Sequence, residues 1–175
     1  MRVVAGRFGG RALRAPRGAA TRPTSDRVRE ALFSILGPLD GLAALDLFAG
    51  SGALGIEALS RGAARATFVE CAPAALGALR ANLAALDVIA DVRGMTVERF
   101  LRDAATQGEP YDLVFLDPPY REAAGLGPVL ELQPLLKPGA RVVGESDRRA
   151  PLDLALPILD ERRYGDTLIR IHTTP

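Results

Sequence analysis

The chain has 175 residues with a formal net charge of +1, and its 48% hydrophobic and 25% charged residues suit a single folded domain and exclude a disordered chain. Cys71 and His172 are the lone cysteine and histidine, so an intramolecular disulfide is excluded and structural zinc or haem lacks a ligand set. The N-terminus MRVVAGRFGG has no apolar run, and the longest hydrophobic stretch, Leu42 to Leu59, is broken by Asp46 and Glu57; a cytoplasmic protein without a membrane partner is expected.

Charge is unevenly spread. Residues 1–29 hold eight arginines and one acid, Asp26, while the remainder is net negative. Such a split suggests a polyanion partner. Arginine supplies 21 of the 22 basic side chains, Lys137 the other, which also fits a GC-rich coding bias or a hot habitat.

Residues 2–5 and 11–14 read as short extended runs around Gly6, Gly9 and Gly10, a hairpin with arginines on its exposed face. After the Pro16–Pro23 loop, Val28, Leu32, Ile35 and Leu36 recur at helical spacing from a Thr24/Ser25/Asp26 start, and Gly37-Pro38 ends the pattern. From residue 43 onward, apolar runs at 43–47, 66–69, 91–93, 111–116 and 140–144 alternate with helical stretches near 53–60, 73–86, 97–106 and 126–136. That order predicts an α/β fold, a parallel sheet covered on both faces. Runs at 157–163 and 166–172, joined around Gly165, predict an antiparallel edge hairpin.

The first chemical signal is Leu45-Asp46-Leu47-Phe48-Ala49-Gly50-Ser51-Gly52-Ala53-Leu54-Gly55. Gly50, Gly52 and Gly55 satisfy G-x-G-x-x-G between a strand and a helix, the setting in which a nucleoside ligand approaches the backbone. Asp46 shifts the balance between ligands. A carboxylate within the turn repels the pyrophosphate of NAD but suits the ammonium and sulfonium of S-adenosylmethionine (SAM). Glu70, ending the second strand, stands where an acid accepts hydrogen bonds from ribose hydroxyls; capping of the next helix is its plainer role. Cys71 beside it reads as a small apolar side chain near the adenine edge, and Met95 and Thr96 follow the third strand where such folds wrap the adenine. Phe48, Ala49 and Ser51 complete the expected cofactor lining.

The second signal is Leu113-Val114-Phe115-Leu116-Asp117-Pro118-Pro119-Tyr120. Four buried-type residues run into an acid and a stiff loop at the carboxyl end of the fourth strand. Two prolines remove two N–H donors, leaving the Asp117 carboxylate and the Pro118 carbonyl as acceptors. Two acceptors match the two hydrogens of an exocyclic amino group, and Tyr120 offers a face on which a base can stack.

Asp-Pro-Pro-Tyr after such a first strand resembles the amino-group methyltransferases of DNA, RNA and glutamine side chains. The remaining motifs narrow this: Gly-Arg-Ala-Leu-Arg-Ala-Pro (10–16), Arg22-Pro23-Thr24, Asp26-Arg27-Val28-Arg29-Glu30-Ala31-Leu32-Phe33 and Tyr164-Gly165-Asp166-Thr167 resemble the RsmD family, bacterial 16S rRNA guanine-N2 methyltransferases. The resemblance spans nearly the whole chain and implies a Rossmann-like, mostly parallel seven-stranded sheet. It implies SAM as methyl donor, no metal, and 16S rRNA as partner, alone or within an assembling 30S subunit, with no obligate protein partner. Asp117, Pro118, Pro119 and Tyr120 become the catalytic set, Asp117 also touching the cofactor. Arg7, Arg11, Arg22, Thr24, Arg27 and Arg29 are the expected RNA contacts, on a division into a basic extension, 1–24, and a methyltransferase domain, 25–175. Met95-Thr96 departs from the acidic or amide residue common at that station. A DNA or protein amino-group methyltransferase and an NAD-type binder remain the alternatives. Since no cofactor motif precedes Asp46, deleting residues 1–20 is expected to abolish rRNA methylation while sparing SAM affinity.

Overall fold

The computed structural model describes residues 1–16, 25–104, 109–119 and 131–175. Arg22, Thr24 and Tyr120 lie outside these segments. Helix α1 (Asp26–Leu36) starts where the sequence places it, with the Ser25 hydroxyl accepting from Val28 N–H, and stops at Gly37, whose φ of 69° is left-handed. Strands β1 (Ala43–Leu47), β2 (Arg65–Val69), β3 (Asp91–Arg93) and β4 (Tyr111–Leu116) alternate with helices α2 (Ala53–Ser60), α3 (Pro73–Ala85) and α4 (Val97–Ala104). Strand β5 (Leu136–Asp147) is longer than its apolar run, and β6 (Ile158–Tyr164) and β7 (Thr167–Thr173) close the chain.

One seven-stranded sheet results, ordered β3-β2-β1-β4-β5-β7-β6, in which β7 runs antiparallel between β5 and β6. The parallel sheet, its two covered faces and the terminal hairpin match the sequence expectation. A helix through residues 131–136 does not form: of the expected 126–136 stretch, only the 3-10 turn Gln133–Leu135 is seen there, and Leu136 already belongs to β5. Pro134 and the Lys137-Pro138-Gly139 sequence break a helical hydrogen-bond ladder. No helix among the described residues is long and apolar enough to cross a membrane.

The sheet separates two apolar clusters. Leu32, Phe33, Ile56, Leu79 and Leu83 pack with Phe68, Leu113, Phe115 and Val143 on one face. Val97, Phe100 and Leu101 of α4 pack with Leu45, Leu47, Val114 and Val142 on the other. Alternation along the strands then puts Asp46, Asp117 and Glu145 on the face that carries α1 and α2.

The N-terminal segment is a hairpin, though a tighter one than two extended runs. A single bridge joins Arg2 to Ala12, and a 3-10 turn, Gly6–Phe8, fills the bend. Nor does it stand away from the domain. Val3 and Leu13 are 1% and 6% exposed within the first cluster, and the Glu57 carboxylate accepts hydrogen bonds from Val4 and Ala5 N–H at 2.7 and 3.0 Å. Ser60 Oγ accepts from Phe8 N–H and donates to the Ala5 carbonyl. Glu57 itself has no exposed surface and is paired with Arg61 at 2.7 Å.

Candidate active site

Strand register builds the site. Leu47 pairs with both Val69 and Leu116, and Leu116 with Gly144, so Phe48, Glu70 and Asp117 leave their strands at one level along the carboxyl edge, beside Glu145 within the longer β5. Ligands of open α/β sheets bind outside that edge, where the strand order reverses, here between β1 and β4.

The glycine turn joins β1 to α2. Phe48 and Gly50 both have positive φ, 62° and 56°, and Gly52 enters α2 at 82°. The three motif glycines serve different ends. A Cβ on Gly52 would stand 2.4 Å from Leu79 Cδ1, and one on Gly55 2.3 Å from Phe68 Cε1, so these two let α2 sit close on β2 and α3. A Cβ on Gly50 would meet nothing nearer than the Phe48 carbonyl at 3.9 Å, which makes Gly50 the position with open space for a ligand. Ala49 is buried and its N–H donates to the Val69 carbonyl, while half-buried Phe48 packs on the second cluster. Ser51 is 9% exposed; its carbonyl accepts from Asn82 Nδ2 at 2.9 Å.

Asp46 lies at 2% exposure with Oδ2 accepting from Gly55 N–H at 2.9 Å. Burial, with a smaller push from Glu70 against that hydrogen bond, raises its carboxyl to about 8. The neighbouring Asp117 is likewise held well above the ordinary carboxylate range, by burial first and then by Glu145 and Asp46. Pro118 is buried and Pro119 exposed, so the stiff loop turns outward directly after the acid. Concentrated, poorly hydrated acids suit a ligand that brings positive charge of its own. Glu145, 5% exposed, was missed by sequence reasoning, although it follows the apolar run of its strand as Glu70 and Asp117 follow theirs.

Glu70 is already taken up by the backbone. Its Oε1 accepts from Cys71 and Ala72 N–H, just ahead of α3, and its Oε2 accepts from Gly50 N–H, all at 2.8 Å. A carboxylate has about four lone-pair sites, so a ribose diol has roughly one left unless the Gly50 bond yields. Glu70→Ala should therefore lower the melting temperature as well as weaken SAM, the ligand effect reaching roughly 1.5–3 kcal/mol. Calorimetry and thermal melts on one preparation check this, and unchanged SAM affinity would leave Glu70 with the turn alone. Cys71 is exposed. Met95 is half-buried against the second cluster, and Thr96 Oγ1 accepts from Arg99 N–H at 3.3 Å, capping α4.

The arginines divide. Arg7 is exposed, with its guanidinium 4.3 Å over the Phe8 ring, at the Ser60 end of α2 and so about 12 Å along that helix from the glycine turn. Arg11 is exposed and donates to the Ala85 carbonyl at 2.8 Å; Arg27 is exposed on α1. Arg29 does not join them. Its side chain has 0% exposure, pairs with Asp26 at 2.9 Å and donates to the Arg2 carbonyl, because helical periodicity turns it inward onto the hairpin. A guanidinium so enclosed reaches no phosphate.

A glycine turn after β1, acids along the carboxyl edge and this strand order define a Rossmann-like nucleoside-binding domain of the methyltransferase type. The chain belongs to the family described as conserved hypothetical protein 95, whose match runs over residues 1–173, and the resemblance to the RsmD family is thereby borne out. Among curated relatives, YlbH of Bacillus subtilis (strain 168) is 41% identical over 180 residues, covering 98% of this chain and 98% of YlbH. Ribosomal RNA small subunit methyltransferase D of Escherichia coli (strain K12) is 46% identical over 123 residues, 69% of this chain and 61% of that protein. Among solved structures, the Thermus thermophilus hypothetical protein TTHA0928 superimposes with a TM-score of 0.86 at 36% identity, covering 98% of each chain.

Proposed function

We propose that the protein transfers a methyl group from SAM to the exocyclic N2 of a guanine in 16S rRNA. The observation that carries this reading is Asp117 at the carboxyl edge, level with Glu70 and Phe48, followed by two prolines that leave only acceptors facing an amino group. The similarity to ribosomal RNA small subunit methyltransferase D supports the choice of RNA.

When bound, SAM supplies an electrophilic methyl carried on a sulfonium. Asp46 and Glu70 would hold it beside the open face of Gly50, the acids answering its ammonium and ribose. The guanine N2 lone pair is delocalised into the ring, so the nitrogen must become pyramidal before it forms a bond to carbon. Hydrogen bonds from its two hydrogens to the Asp117 carboxylate and the Pro118 carbonyl favour that shape and stabilise the positive charge that develops. As the N–C bond forms, the S–C bond breaks; Asp117 offers an acceptor for the proton the methylated nitrogen then sheds. A base inside a helix must leave its stack to reach this edge. Exposed Arg7, Arg11 and Arg27 would hold phosphates by charge, without reading sequence.

Incubation with methyl-labelled SAM and 16S rRNA, followed by nucleoside digestion, tests the reading. Label in N2-methylguanine is expected; label confined to adenine, DNA or protein would overturn it.

Cofactor affinity should also depend on pH. Without ligand, Asp46 keeps its proton up to about 8, so a cationic ligand must expel that proton to gain a carboxylate partner. SAM should then bind more tightly as pH rises between about 6 and 8, approaching tenfold per unit. Asp46→Asn should flatten this slope. Calorimetry in buffers of differing ionisation enthalpy reads the released proton directly, and no release near neutral pH would place the charge of Asp46 outside cofactor binding.

A further inference from the structure

Asn82 is the chain's lone asparagine and is 2% exposed on α3, within a stripe otherwise made of Ala75, Leu79 and Leu83. A buried amide in an apolar stripe is costly unless it is bonded. Here it joins two distant parts of the chain. Its carbonyl accepts from Arg14 N–H at 2.8 Å, one amide hydrogen goes to the Arg14 carbonyl at 3.0 Å, and the other to the Ser51 carbonyl at 2.9 Å. Arg14 presents both a donor and an acceptor, so the amide is held in one orientation: reversed, its NH2 would face the Arg14 N–H. Ser51 lies between Gly50 and Gly52, both at positive φ, so the direction of its carbonyl is part of the shape of the cofactor turn. A second link runs beside the first, from Ser51 Oγ to Met1 Sδ at 3.9 Å. The hairpin's anchors on Glu57 and Ser60, by contrast, fall further along α2.

We propose that Asn82 is a positioning residue that ties the arginine-rich hairpin to the cofactor turn, so that RNA held by the hairpin and cofactor held by the turn tighten each other's binding. The inference rests on the methyltransferase reading above. The element with two states is the Arg14 end of the hairpin, bonded to Asn82 or released from it, while the anchors on Glu57 and Ser60 stay in place. An RNA in contact with Arg7, Arg11 and Arg27 favours the bonded state. The bonded Arg14 backbone orients Asn82, and Asn82 fixes the Ser51 carbonyl, leaving less of the turn for the cofactor to order. Linkage makes the effect reciprocal.

The experiment is the affinity for S-adenosylhomocysteine, which cannot react, measured by calorimetry with and without saturating 16S rRNA. RNA should tighten binding to the native protein by at least about fivefold, the lower end of common couplings. Asn82→Asp retains an acceptor for Arg14 N–H but loses both donors, and should reduce the factor to below about twofold while a cooperative thermal transition persists. Arg14→Ala removes a charge and leaves the backbone bonds, so it should keep the native factor; a merely structural Asn82 would lower stability without separating these two variants. If Asn82→Asp does not fold, Arg14→Pro, which deletes the N–H donor and fixes φ while Arg14→Ala controls for the lost side chain, answers in its place with the same expected loss. RNA that binds the native protein without changing S-adenosylhomocysteine affinity overturns the coupling, as does a full native factor in Asn82→Asp or Arg14→Pro. Native protein that binds neither RNA nor S-adenosylhomocysteine overturns the proposed function itself, and the coupling falls with it.

Discussion

Asp117→Ala should reduce methyl transfer by at least about a hundredfold while SAM affinity changes far less, the pattern for a polar group whose contact matters most in the transition state. Single-turnover rates with bound cofactor separate the two effects, and a near-native rate would remove Asp117 from the mechanism. Asp117→Asn retains one acceptor oxygen in nearly the same shape and should lose less. The pH profile gives an independent check. Burial, Glu145 and Asp46 all hold the Asp117 carboxyl well above its ordinary value, so a reaction that needs it ionised should speed up as pH rises above the ordinary carboxyl range toward that raised value. The sign for folding is opposite. A carboxyl whose pKa is raised in the folded state binds its proton more tightly there than in the unfolded chain, so stability falls as pH climbs from the ordinary carboxyl value through the raised one. Activity gained and stability lost over the same interval would together mark the acid cluster, and Asp46, raised to about 8, belongs to it.

Deleting residues 1–14 should unfold the domain or strip most of its stability, against the expectation from sequence that cofactor binding survives such a truncation. The cut removes Val3 and Leu13 from the core, each worth about 1.5–3 kcal/mol of burial. It also takes two N–H donors from the Glu57 carboxylate, which has no exposed surface. Each hydrogen bond lost to this charged group costs about 1.5–3 kcal/mol more, although its pairing with Arg61 remains, and native domains hold only about 5–15 kcal/mol in all. Thermal melts of the truncated chain check this; a cooperative transition near the native temperature would show that the seated hairpin contributes little. The phosphate grip is then tested by charge alone. Arg7→Ala with Arg11→Ala should flatten the salt dependence of RNA affinity by about 0.7 per lost single-strand contact while the fold persists. An unchanged slope would move recognition elsewhere.

What could be read from the chain before folding was what depends on neighbours in sequence. Five parallel strands, α1 with its Ser25 cap and Gly37 stop, the glycine turn and the acid before Pro118-Pro119 are local patterns of period, cap and breaker, and each emerged near its expected position. The terminal hairpin was legible from its two runs and Gly165, but insertion of β7 between β5 and β6 was not, because pairing among distant strands leaves no local mark. Side-chain occupancy was likewise decided only by the tertiary structure. Arg29 counted as one more positive charge until helix α1 turned it onto Asp26 and the Arg2 carbonyl, and Glu70 served a ribose on paper while three backbone N–H groups were already waiting for it. Glu57 and Asn82 did carry a signal, a polar residue on an otherwise apolar helical stripe, yet the sequence names no partner for a buried polar group. Their partners, Val4, Ala5 and Arg14, come from a hairpin about fifty to seventy residues earlier, and only the close packing of that hairpin on α2 and α3 brings donor and acceptor together.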